Sequence, residues 1–201
     1  LYAPVDDLMH AASNVFGQPG SDEEEFAYLS AGVRQVAKDK QVMQSLMQQQ
    51  NRRLQQSFVE NLIRSEVTDE AADHTMQELG LAPCPAYRLI ALALNTAPGT
   101  SGPVRETMLL TAIQTLPTEL LRRCAFQPVM LNFTMLLVVG GEEADLNDAG
   151  RVVFTAAMRS VRTALGVDCR AGVSRTFHKL HHMQLAAQEA WEALRLPGAD
   201  A

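Results

Sequence analysis

No apolar run in this 201-residue sequence reaches the length of a membrane span. Cysteines are few. Cys84, Cys124 and Cys169 lie far apart with no CxxC pair, a pattern of buried thiols in a reducing compartment and not of a metal ribbon or a disulfide framework. Cationic clustering is also missing. The net charge is −6, and Arg52-Arg53 and Arg122-Arg123 are pairs, not stripes, so these residues present no nucleic-acid surface. There is no GxSxG elbow and no P-loop. A further gap concerns the carboxylates: residues 81–104 contain no Asp or Glu, and neither do residues 122–141. Two stretches without acids offer no carboxylate ligand to a divalent cation.

What is present begins with Leu1-Tyr-Ala-Pro4, a start in mid-pattern that is expected of a segment of a longer protein. Pro4 suits the first turn of a short helix over 5–15, and Gly17-Gln18-Pro19-Gly20 breaks it. Ser21 can cap a long helix, roughly Asp22 to Arg64, whose first turn is acidic. Its apolar residues Phe26, Leu29, Val33, Val36, Met43, Met47 and Leu54 occupy a and d positions of a 3.5-residue repeat, with Lys40 and Gln50 as polar interruptions. After Leu54 the spacing changes to four, through Phe58 and Leu62, a stutter that locally unwinds a coiled coil. These seven residues form the expected seam of a homodimer. The polar stretch 47–56 makes that seam weak, as a two-state helix requires.

Beyond the helix, Thr68 caps another, with Ala71, Ala72, Met76 and Leu79 inward and Gly80 ending it. The apolar run from Tyr87 to Leu94 reads as a buried strand. A loop over 96–103 leads to a helix over 104–116, which 118–121 extends past Pro117 with a kink. Strands over 123–131 and 133–139 meet near Asn132 with almost no turn chemistry. A helix over 146–165 follows, with Val152, Val153, Ala156, Val161 and Leu165 inward and Gly166 as its cap. A short strand over 169–173 and a helix over 180–194 close the pattern. The predicted class is α+β, a ferredoxin-like or nucleotide-cyclase-like βαββαβ core preceded by a long coiled-coil helix.

Three stretches carry a resemblance. Leu1 to Leu8 resembles the start of a HAMP-type segment. Residues 55–66, QQSFVENLIRSE, resemble the helix before the α/β domain in membrane-bound AraC-type transcription regulators. Residues 172–180 with 186–194 are similar to the end of their degenerate GGDEF-like domain, and to PucR- and CdaR-like regulators. The resemblance implies a HAMP-like remnant over 1–20, a signalling coiled coil over 21–66, a degenerate GGDEF-like domain over 67–196 and a linker over 197–201. It also implies a place on the cytoplasmic side of the cell membrane. The membrane would be reached through an upstream segment and DNA through a C-terminal helix-turn-helix domain, neither of them in this chain.

A working diguanylate cyclase of that family holds two metal ions on acids at the first strand and at a Gly-Gly-Asp/Glu-Glu-Phe hairpin tip. Here that signature aligns with Val129-Met130-Leu131-Asn132-Phe133, where only the phenylalanine is kept. No catalytic residue, metal or cofactor is therefore expected. Gly140-Gly141-Glu142-Glu143 imitates the signature by letters but follows the second hairpin strand and leads into a helix capped by Asp145 or Asn147. His178, His181 and His182 have helical metal spacing without a fourth ligand and read as a solvated helix start. Asp73-His74 reads as surface, Trp191 as packing, and Thr100-Ser101-Gly102 as a loop that could at most meet an anion. The expected function is a non-catalytic dimeric relay. The alternative is a receptor that keeps a pocket for GTP or a cyclic dinucleotide.

Overall fold

The computed structural model describes residues 22–65, 67–97 and 99–196, and for residues 22–33 the helical backbone alone. The proposed HAMP-like remnant and the 197–201 linker lie outside the described residues. The chain divides into two units, Leu1–Asn51 and Arg52–Ala201.

Helix α1, Asp22–Arg64, runs through 43 residues without a break, matching the expected span. No glycine or proline interrupts it after Gly32. Every residue from 34 to 54 is exposed. The last turns differ sharply: Phe58, Val59, Leu62 and Ile63 are buried in the α/β unit.

Helix α2, Asp69–Glu78, begins at Thr68, whose Oγ1 accepts from the Ala71 N–H at 3.4 Å. Gly80 at φ 65° follows its end. Only Ala72 and Met76 of its expected inner face are buried, and Ala71 faces solvent. Strand β1, Ala86–Leu94, is followed by helix α3, Gly102–Gln114, and a short helix α4, Thr118–Leu121. Pro117 separates α3 from α4 outright, where a single kinked helix was expected, because Leu116 must precede proline in extended backbone. Strands β2, Val129–Leu131, and β3, Thr134–Gly141, form a hairpin. Helix α5, Glu143–Leu165, strand β4, Cys169–Val173, a 3₁₀ turn at Leu180–His182 and helix α6, Met183–Arg195, complete the unit.

The first hairpin strand is much shorter than its apolar sequence suggests. Residues 122–128 leave the sheet apart from one bridge, Cys124 to Val139. Helix α5 starts three residues earlier than expected, at the backbone of Glu142, with neither Asp145 nor Asn147 as its cap.

The sheet order is β2-β3-β1-β4, and every neighbouring pair is antiparallel. Two interleaved β-α-β crossovers give this order, so the α+β class and the βαββαβ core stand. Central β1 is covered on both faces, which explains its continuous apolar run. Tyr87, Leu89 and Ala91 face α1, α2 and α6, while Ala86, Ile90 and Leu92 face α3 and α5. Helix α6 brings Ala186, Ala187 and Ala190 to the sheet, and its backbone comes so close to Gly172 that a Cβ there would lie 1.8 Å from the Ala190 carbonyl oxygen. Val152 of α5 is exposed, contrary to its expected inward place, while Val153 and Val161 are buried.

Candidate functional site

β1 finishes and the β2–β3 hairpin turns at the same end of the sheet, the place where the family signature aligns. Residues 129–131 are the whole of β2, and Asn132-Phe133 is a two-residue turn. Both turn residues take positive φ, 51° and 56°. That is the geometry a tight hairpin needs, and it favours Asn-Gly over Asn-Phe. The Phe133 side chain is exposed, and its ring lies 3.4 Å from where a Cβ on Gly102 would sit, at the first turn of α3. The loop before α3 is folded on itself, with Thr100 Oγ1 donating to the Ala97 carbonyl at 2.8 Å. Ser101 caps α3 without a side-chain bond.

The four residues Gly140 to Glu143 have structural roles. A Cβ on Gly140 would come within 2.5 Å of Cys84 Sγ and 3.0 Å of Ala125 Cβ, so glycine is required by packing. Gly140 and Gly141 pair with Tyr87 and Ala86 in β3. Glu142 precedes α5, and Glu143 accepts from or pairs with His178 Nε2 at 3.2 Å.

The histidines of the C-terminal segment go to different partners, His178 to Glu143 of α5 and His181 to Asp69 of α2. Asp69, in the first turn of α2, takes Lys179 Nζ at 2.6 Å and also His181 Nδ1. The bond from Lys179, then that from His181, holds the Asp69 carboxyl below its ordinary value. His181 and His182 have ring centroids 4.0 Å apart. Among the described residues no group of three His, Cys, Asp or Glu side chains could hold a metal ion. Burial raises all three thiols, Cys124 to about 12 and Cys169 to about 11.

Residues 64–196 match the family of GGDEF-like domains. The chain belongs to that family. No curated protein and no solved structure matches it. The metal-held nucleotide of the catalytic members does not fit the residues at this GGDEF-like tip, since β1, its following loop and the hairpin supply no carboxylate oxygen.

The expected seam lies on α1. Val36, Met43, Met47 and Leu54 are all more than half exposed. The side chains of Phe26, Leu29 and Val33 lie outside the described residues. Leu46 adds a further exposed apolar residue beside Met47. The Asn132-Phe133 conformation escaped the sequence reading, although an asparagine at the junction was its available signal.

Proposed function

We propose that this GGDEF-like chain is a non-catalytic, dimeric signal-relay module of a membrane-associated AraC-type transcription regulator. In this reading two copies pair along α1, and a change in helix register or splay enters the α/β unit at Phe58 and Leu62. The observation that carries the proposal is the change of environment along one helix. Apolar side chains from Val36 to Leu54 face solvent in the single chain, and Phe58, Val59, Leu62 and Ile63 are core. A stripe of that size in water is unfavourable unless a second helix covers it. The missing carboxylates at the tip support a relay over a catalyst.

Sedimentation velocity tests the pairing. The expected outcome at tens of micromolar is a dimer, with the Met43→Glu/Met47→Glu variant monomeric and still folded by circular dichroism. A wild-type monomer would refute the seam. Incubation with GTP and Mg²⁺ or Mn²⁺ is expected to yield no cyclic product.

A further inference from the structure

At the hairpin end of the sheet, on the face that carries α6, lies a cleft of about 480 Å³ lined by Asn132, Thr134, Arg170, Trp191, Leu194 and Arg195. That volume lies within the range of small-molecule sites. It is on the opposite face of the sheet from α3 and its loop, because Arg170 pairs with Ala93, whose side chain belongs to the α6 layer.

Three features give the cleft a chemistry. First, Arg170 and Arg195 both line it, and among the described residues no ion pair joins either to a carboxylate, whereas Arg162 and Arg175 have Asp168 and Glu189. Two arginines on one cleft give it a cationic lining suited to an anion. Second, the half-buried indole of Trp191 is fixed. Its Nε1–H donates to Thr134 Oγ1 at 2.9 Å, and that hydroxyl donates to the Leu131 carbonyl at 2.6 Å. The ring is thus held in place before any ligand arrives, which lowers the ordering cost of stacking. Third, Asn132 of the hairpin turn lines the rim and adds an amide that can donate or accept a hydrogen bond.

We propose that this cleft binds a small anion bearing a planar aromatic ring. The ring lies on Trp191, and a carboxylate or phosphate head is taken by Arg170 and Arg195. The site is independent of whether α1 pairs.

Trp191 is the single tryptophan, so its fluorescence reports the cleft directly. The test titrates the full chain with phenyl phosphate, phenylacetate, inorganic phosphate and cyclohexylacetate. Saturable change with one or both aromatic probes is expected, and which one responds identifies the head group. Binding should weaken roughly tenfold or more in Arg170→Gln and in Arg195→Gln, with unchanged circular dichroism. Raised salt should weaken it as well. Linear, non-saturating quenching overturns the site. So does an unchanged affinity in both variants. An equal response to inorganic phosphate or cyclohexylacetate overturns the aromatic assignment. Should either variant misfold, Arg170→Lys, which keeps charge but not the planar fork, is expected to retain fold and lose affinity.

Discussion

Gly172 shows how one missing methyl sets a layer spacing. Its hypothetical Cβ would meet the Ala190 oxygen at 1.8 Å and the Leu194 nitrogen at 2.7 Å, both backbone atoms that no rotamer change can move. Gly172→Ala is therefore expected to cost about 3 kcal/mol or more, at the upper end of overpacking effects, as read by urea unfolding. Phe133 tests the opposite case. At φ 56° it carries strain that glycine would not. Phe133→Gly should raise stability by about 0.5–1 kcal/mol, and a loss instead would show that the ring's contact at Gly102 outweighs the strain. Of the three thiols Cys169 is buried, and Cys84 and Cys124 are half-buried. Since burial raises Cys84, Cys124 and Cys169, a thiol reagent at about pH 8 should label the folded protein slowly and the urea-unfolded protein at once.

Between elements, the Asp69 cluster joins the start of α2 to the segment that leads into α6. Asp69 is depressed in the fold, so its contribution is present above its ordinary value of 3.8 and lost as pH falls through the lower folded value. Lys179 is raised, chiefly by the same bond, so its part is present below 10.5 and lost as pH rises through the higher folded value. The melting temperature of the wild type should exceed that of Asp69→Asn near neutrality, and the gap should narrow as pH is lowered below 3.8. A gap that persists undiminished in acid would show that the effect does not come from the Asp69 charge.

Across the whole molecule, α1 has two populations of apolar residues that should separate by experiment. Leu62 is 1% exposed within the α6-side core. Leu62→Ala should lower the unfolding free energy by roughly 3 kcal/mol and leave oligomeric state alone. The Met43→Glu/Met47→Glu change should do the reverse, abolishing association while the α/β unit keeps its melting temperature. A loss of stability in both would mean that the exposed stripe serves the fold of the single chain.

Much of the architecture was legible because its signals are local. The period of α1 is long enough to read without context, Thr68 and Gly166 are capping residues by their own chemistry, and a doubly covered strand such as β1 must be apolar throughout. The absence of Asp and Glu from residues 122–141 is a property of the sequence itself. Other features depended on partners distant in the chain. The stretch 123–131 could not reveal that only its last three residues form β2, because pairing is settled by β3. Val152 and Val153 are alike in sequence, and the packing of α5 on β1 and β3 alone makes one solvent-facing and one buried. The cleft around Trp191 draws on a turn, an edge strand and a helix end separated by tens of residues. Composition and periodicity thus determined most of the elements and the lack of carboxylates in the hairpin. Tertiary packing decided which residues share a surface, because that depends on which strands pair and how closely the helices approach them.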